Sequence, residues 1–479
     1  MNKSTMKKIF LSASVFMLII LGWVFSWVVF AEKPDRISKE SSHSAAAATF
    51  ADTPATLSPK TIADNPETAA FLAAETSALP AAEPSDLPAA KSSDLLAAKS
   101  SDLSATEPSA PSAAETSTPP ATKPAPLQAG KLVGYYAAWA AYYNYYPNQI
   151  DAGKLTHINY AFANIGSDLK LALGYPDVDP SNIKLLNSLK QANPDLKTLI
   201  SVGGWNWSGK FSDAALTEET RTAFADSCVD FIKKYGFDGV DLDWEYPVSG
   251  GLKANARRGE DKHNFTLLLK KIREKLDAQG SADNKHYLLT IAGGADHSYI
   301  NNVELSKLAQ YLDYANVMTY DLHGYWDSNT DLLAPLYDNN DPSPQYKASV
   351  DKAVTAWLGA FFPAEKMVMG IPFYGYLYSS VNNSNNGLYQ SFGGSNSIGY
   401  QAIKDNYLNK PGYTSHIHSQ SKVPWLFNGT IFISYEDPKS IGHKTDYIKS
   451  KKLGGAMVWE LSQDPEGELL RALYQGLKQ

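Results

Sequence analysis

From Lys131 onward the chain alternates short apolar runs with segments of helical periodicity. Eight runs read as strands: Leu132–Tyr136, His157–Phe162, Thr198–Val202, Gly239–Asp243, Tyr287–Ala292, Ala315–Thr319, Lys366–Ile371 and Gly455–Trp459. Between several of them apolar residues recur at helical spacing, as at Phe265, Leu268, Leu269, Ile272 and Leu276. Eight short strands with helical crossovers predict an α/β fold, a (β/α)8 TIM barrel. A doubly wound sheet is the alternative, and it is less favoured because no G-x-G-x-x-G opens a helix here. One stretch breaks the alternation. From Tyr374 to Glu436 the chain is rich in Tyr, Asn, Ser and Gly, and Asn428-Gly429 between two apolar runs is a hairpin signal. This predicts a small α+β insertion after the seventh strand, at about residues 376–434, standing as a wall beside the strand ends.

The first 130 residues follow other rules. Residues 1–31 carry Lys3, Lys7 and Lys8 ahead of an apolar stretch from Ile9 to Phe30. This reads as an export signal, with Val29-Phe30-Ala31 as a small-residue cleavage site, or as an uncleaved anchor long enough to span a bilayer. Either way the remainder is expected outside the cytoplasm, secreted or tethered to the cell surface. In residues 32–130 Ala, Ser, Pro, Thr and Glu dominate, and an eight-residue frame repeats from Ala73 to Gln128. Eight fits neither a heptad nor a solenoid period. With so little apolar bulk the segment does not offset its ordering entropy, and a disordered, Pro-stiffened spacer is expected.

Composition narrows the partners. Net charge is −7 and Lys and Arg are scattered, without the basic stripe a nucleic-acid binder needs. The single cysteine, Cys228, excludes an internal disulfide and a Cys-cluster metal site. It falls in a helical pattern with Phe224, Phe231, Ile232 and Tyr235, as a small buried hydrophobe would. Nine histidines show no H-E-x-x-H or similar ligand spacing, so neither metal nor cofactor is expected. The protein is read as a monomer.

The chemistry concentrates in Asp238–Glu245, D-G-V-D-L-D-W-E. Read as a strand, Asp241, Asp243 and Glu245 share one face, roughly 6 to 7 Å apart, and Val240, Leu242 and Trp244 cover the other. A solvated sheet face is the plain alternative. Tyr235-Gly236-Phe237 before the run and Trp244 within it argue for burial on both sides. Three buried like charges cannot all stay ionised cheaply, so at least one pKa should rise, which keeps a carboxylic acid protonated near neutral pH. Asp243 and Glu245 end the fourth strand, where a barrel places its active site.

D-G-V-D-L-D-W-E resembles the D-x-x-D-x-D-x-E signature of family 18 glycoside hydrolases, the chitinases. Ser201-Val202-Gly203-Gly204-Trp205 resembles their third-strand motif, Met318-Thr319-Tyr320-Asp321 that of the sixth strand, Gly370 to Gly375 that of the seventh, and Gly454 to Glu460 that of the eighth. The resemblance covers Lys131 to Gln479. One departure is Tyr376, where many members carry Arg. The resemblance implies hydrolysis of β-1,4-linked N-acetylglucosamine polymers by substrate-assisted catalysis, an exception among retaining glycosidases. Glu245 would be the general acid and base, Asp243 would align the acetamido group, and Asp241 would share a proton with Asp243 and tune it. Tyr320 would donate to the acetamido oxygen. Asp321, Met318, Tyr135, Tyr374, Trp205, Trp139 and Trp459 would contact sugar, with Trp459 as the floor of the central subsite. For Trp139, Trp205, Trp207, Trp326 and Trp425 packing accounts as well as sugar contact. Asp238 points the other way by parity, which suits a structural role. Two readings compete: a non-catalytic chitin-binding lectin on the same fold, and a hydrolase of N-glycans or peptidoglycan.

Overall fold

A computed structural model describes residues 130–343 and 346–478. The expected signal or anchor lies outside the described residues, as does the expected spacer apart from Gly130. The chain forms β1 (Lys131–Ala137), β2 (His157–Ile165), β3 (Leu171–Leu173), β4 (Lys197–Gly203), β5 (Gly239–Asp243), β6 (Leu288–Gly294), β7 (Tyr314–Met318), β8 (Met367–Pro372) and, last, β14 (Gly455–Trp459). All but β3 pair in parallel in the circular order β1-β2-β4-β5-β6-β7-β8-β14, and β14 returns to β1 through the register Lys131↔Gly455. The eight strand candidates are these eight strands, and the predicted (β/α)8 barrel is the fold. The short β3 turns back antiparallel onto the end of β2.

The crossover helices bury the faces that their periodicity predicts. Helix Glu218–Tyr235 begins at Thr217, whose hydroxyl accepts from the Thr220 amide, and stops at Gly236, which takes the left-handed conformation. Its inward side carries Phe224, Ala225, Cys228, Phe231 and Ile232. Burial pushes the Cys228 thiol up, so it is an inert core residue. Helix Asp261–Asp283 buries Phe265, Leu268, Leu269, Ile272 and Leu276, the heptad-like set seen in the sequence.

After β8 the chain leaves the barrel for a five-stranded antiparallel sheet. Its strands are β9 (Tyr374–Ser379), β10 (Gly394–Gly399), β11 (Thr414–Ile417), β12 (Pro424–Phe427) and β13 (Phe432–Ser434), in the order β10-β9-β13-β12-β11. The helix Tyr400–Asn406 lies between β10 and β11. The sheet therefore begins at Tyr374, two residues before the expected start of the insertion. The Asn428-Gly429 hairpin is present: Asn428 Oδ1 accepts from the amides of Thr430 and Ile431, and Gly429 has a φ of +99°. Helix Pro438–Lys451 then leads back to β14.

Candidate active site

Strand β5 carries the acids, and parallel register supplies their surroundings. Ser201 of β4 and Thr290 of β6 stand level with Asp241. Parallel neighbours at one level face the same way, so both hydroxyls point into the barrel at its carboxylate. Ser201 Oγ and Tyr135 Oη donate to Asp241 Oδ2, each at 2.7 Å. Thr290 Oγ1 at 2.5 Å and Asn316 Nδ2 at 3.4 Å donate to Oδ1. Burial raises the Asp241 pKa, and these four donors work against the rise by stabilising the charge.

Asp243, two residues on, differs. Its Oδ1 is buried and has no hydrogen-bond partner among the described residues. Burial first, then the charges of Glu245 and Asp241, drive its pKa well above the carboxylate range. Glu245 lies just past the strand end. Its backbone is pinned, since its amide donates to Ser208 Oγ at 2.8 Å and Asn255 Nδ2 donates to its carbonyl at 3.2 Å. Tyr246 Oη donates to Glu245 Oε2 at 2.8 Å. Burial pushes the Glu245 carboxyl up to about 8, the Tyr246 hydroxyl opposes this, and the Asp321 charge adds to it. Trp244 points the other way and stacks on Phe211 at 5.4 Å, so the alternation of faces continues beyond β5. Asp238 accounts for itself at the opposite end: it pairs with Lys190 and Lys285 and accepts from the Thr198 amide, a structural clamp.

A cleft with about 490 Å³ of empty space, part of it open to solvent, lies above these acids. Of the residues predicted from sequence, Tyr135, Trp139, Trp205, Asp243, Glu245, Met318, Tyr320 and Trp459 line it, as does Trp207. Trp459 is surrounded by aromatic rings, Tyr135 at 5.5 Å, Phe162 at 5.6 Å and Trp139 at 6.2 Å. Gly203 lets the chain pass close by: its φ is +98°, and a Cβ there would stand 2.5 Å from the Asp243 carbonyl. That passage carries Trp205 and Trp207 over the site.

Asp241, Asp321 and Tyr374 do not line the cavity. Asp241 lies deeper in the barrel, and Tyr374 Oη donates to Asp321 Oδ1 at 2.7 Å. Asp321 follows β7 with a φ of +52°, and burial lifts its carboxyl to about 6. Trp425 stacks on His416 within the insertion sheet, and Trp326 packs edge-on to Tyr325 and Tyr376. The sequence places the insertion as a wall of the cleft, yet no side chain between Tyr374 and Ser434 is among those lining the cavity. Its contacts with the site include Tyr374 and Tyr376 on Asp321 and the Tyr374 ring edge-on to Tyr320 at 6.2 Å.

Sequence reasoning missed Phe162, Tyr175, Asn206 and Ala292, which also line the cavity. Phe162 closes the second strand candidate, so the rule that a barrel works at its strand ends could have found it. Tyr175 arrives from the turn between β3 and the helix Asp179–Ser188, which has no periodic signal. Among the described residues no group of His, Cys, Asp and Glu could hold a metal ion.

The model of the glycosyl hydrolases family 18 matches residues 131–464. Chitinase A1 of Niallia circulans is 46% identical over 408 residues, covering 71% of this chain and 58% of that protein. This chain thus spans little more than half the length of that relative. Endochitinase 1 of Metarhizium robertsii is 34% identical over 357 residues, covering 70% of this chain and 81% of its own. Among solved structures, a family 18 N-acetylglucosaminidase from Paenibacillus barengoltzii is 41% identical with a TM-score of 0.66, covering 72% of this chain and 99% of that one. A chitinase from Bacillus thuringiensis is 38% identical with a TM-score of 0.69, covering 73% and 70%. With the acid ladder on β5, the closed barrel and this match over most of the described residues, the chain belongs to the glycosyl hydrolases family 18.

Proposed function

We propose that this family 18 member is a chitinase that hydrolyses β-1,4 linkages between N-acetylglucosamine units with retention, using the substrate's own acetamido group. The observation that carries the reading is the contrast along β5 and just past its end: Asp241 is saturated with donors, Asp243 Oδ1 is buried without a partner among the described residues, and Glu245 holds its proton to about 8. A buried acceptor without a donor suits a ligand that brings one. The acetamido N–H is such a donor.

In the first step the Glu245 proton passes to the glycosidic oxygen as the C1–O bond breaks. The acetamido oxygen bonds to C1 from the opposite face, giving an oxazolinium ion. Asp243 accepts from the acetamido N–H, aligns the attacking oxygen and stabilises the positive charge that develops. Tyr320 donates to the acetamido oxygen. In the second step water attacks C1, Glu245 takes its proton, and the acetamido group is released with the original configuration restored. Asp241 tunes Asp243 from below, and Asp243 feels Glu245 more strongly still, so the acids titrate as one coupled set. Trp459 supports the pyranose face, while Trp139, Trp205, Tyr135 and Met318 complete the enclosure, and Asp321, held by Tyr374, contacts the same subsite.

The relatives named as chitinases support this substrate. The intact acid series disfavours a lectin, and nothing in the cavity favours N-glycans or peptidoglycan. Location at or beyond the cell surface, by release or through an uncleaved anchor, rests on the N-terminal sequence.

The test is mass analysis of the products formed over time from N-acetylated chitin oligomers and from their deacetylated counterparts. Cleavage confined to linkages that follow an acetylated sugar is expected. Efficient cleavage of unsubstituted glucans would refute the substrate-assisted step, and binding with no products at all would support the lectin.

A further inference from the structure

Tyr376 stands where the sequence departs from the family pattern, and it is joined to the site. Its hydroxyl donates to Asp321 Oδ1 at 2.8 Å, beside the Tyr374 hydroxyl on the same oxygen at 2.7 Å. The two tyrosines are two residues apart on β9, so their side chains share a face. Strand β9 is held on both sides, with Tyr376 opposite Ser397 of β10 and Ser434 of β13. The ring packs edge-on to Tyr374 at 6.0 Å and Trp326 at 6.1 Å. The position of its hydroxyl is therefore fixed by the insertion sheet.

On the receiving side, both phenols occupy one oxygen of Asp321. The other, Oδ2, is buried and has no partner among the described residues. Tyr374 and Tyr376 of β9 stabilise the Asp321 charge by hydrogen bonds, and that charge in turn acts on Tyr378, on the adjacent Tyr320 and on Glu245 beyond β5. All are acids or phenols, and among the described residues no Lys, Arg or His forms an ion pair with Asp321. Its charge is supported by phenolic hydrogen bonds in place of a cation.

We propose that Tyr376 is a positioning residue for hydrolysis: it fixes the Asp321 carboxylate in its ionised form and in one orientation, leaving Oδ2 for the sugar, and through it the insertion sheet acts on the reaction. This rests on the reading that Asp321 contacts substrate. A donor to the charged form favours that form, so loss of the Tyr376 hydroxyl raises the Asp321 pKa. The acid limb of the pH profile then moves to higher pH.

The experiment compares the full chain with Tyr376→Phe, Asp321→Asn, the double variant and Tyr378→Phe, using kcat/KM for N-acetylated chitin oligomers as a function of pH. Tyr378 is a control on the same strand, because its hydroxyl has no hydrogen-bond partner among the described residues. Tyr376→Phe is expected to lose about tenfold in kcat/KM, as for a hydrogen bond to a charged group, with the acid limb displaced upward. In the Asp321→Asn background the same change should add little, and Tyr378→Phe should leave the limb in place. An unshifted limb in Tyr376→Phe, an equal loss in the Asp321→Asn background, or the same shift in Tyr378→Phe would each overturn the proposal. A wild type that does not hydrolyse the oligomers overturns the chitinase reading and this inference together, whereas an active wild type with an indifferent Tyr376→Phe overturns this inference alone.

Discussion

In the proposed mechanism, function and stability pull apart at Glu245. A carboxylic acid is useful for protonating a leaving group only while it keeps its proton, and burial lifts this one to about 8. Replacing it with glutamine removes the proton donor at little cost in shape. Glu245→Gln is expected to retain binding of chitin oligomers and lose about 10²- to 10⁴-fold in kcat, measured by single-turnover hydrolysis and by titration of binding; near-normal turnover would remove Glu245 from the acid role. In the wild type kcat/KM should fall as pH rises through about 8, where the acid form is lost. Stability follows the same group. The folded pKa lies above the unfolded one, so the contribution of this group is complete below the ordinary carboxylate range and is lost as pH rises through about 8. Glutamine cannot ionise. The thermal midpoint of Glu245→Gln should therefore exceed that of the wild type by more at about pH 9 than at about pH 5, and an equal difference at both would show that Glu245 is not held protonated by the fold.

At the scale of elements, the period of the apolar pattern made the barrel legible and the parity of β5 made the acids legible. Val240, Leu242 and Trp244 are buried on one side while Asp241, Asp243 and Glu245 face the other, although the strand itself stops at Asp243. The partners of Asp241 were not legible, because Ser201, Thr290, Asn316 and Tyr135 meet it only through the register of separate strands. Tyr175 was hidden for a similar reason, since a three-residue strand carries too few positions to show a period. The role of Tyr376 needed both the insertion sheet and the turn at Asp321. One helix has a conflict visible in its sequence: Lys444 sits on the apolar face of Pro438–Lys451 between Ile441 and Ile448. The structure resolves it with a fully buried ion pair to Glu436, whose other oxygen accepts from Ser440. Removing one partner strands the other, so Lys444→Met should destabilise the fold by about 3–5 kcal/mol. The double change Lys444→Met with Glu436→Gln should cost less than that single change. Denaturant unfolding checks both, and a Lys444→Met variant as stable as the wild type would show that the pair contributes nothing to the fold.

For the whole molecule, the question is how much of the chain the chemistry needs. The barrel closes between its first and last strands. Lys131 donates its amide to the Gly454 carbonyl at 2.8 Å and stands level with Gly455. Just before it, Gly130 has a φ of +76°, and a Cβ there would lie 2.1 Å from the Gly454 carbonyl oxygen. Closure therefore starts within one residue of where the Ala-, Ser- and Pro-rich composition ends, and every residue lining the cavity lies between Tyr135 and Trp459. If residues 1–129 are an export segment and spacer, they serve where the enzyme stands, and the barrel holds the reaction. A chain beginning at Gly130 should then fold and cleave soluble N-acetylated oligomers with a kcat/KM within about a factor of two of the full chain, the range expected of changes remote from any packed site. Export, whether it ends in release or in retention at the cell surface, should be lost with the deleted residues, measured by fractionating cells that express each form. A shortened chain that folds but turns over oligomers tenfold more slowly would place part of the working enzyme upstream of Gly130, and the spacer reading would fall while the barrel chemistry stood.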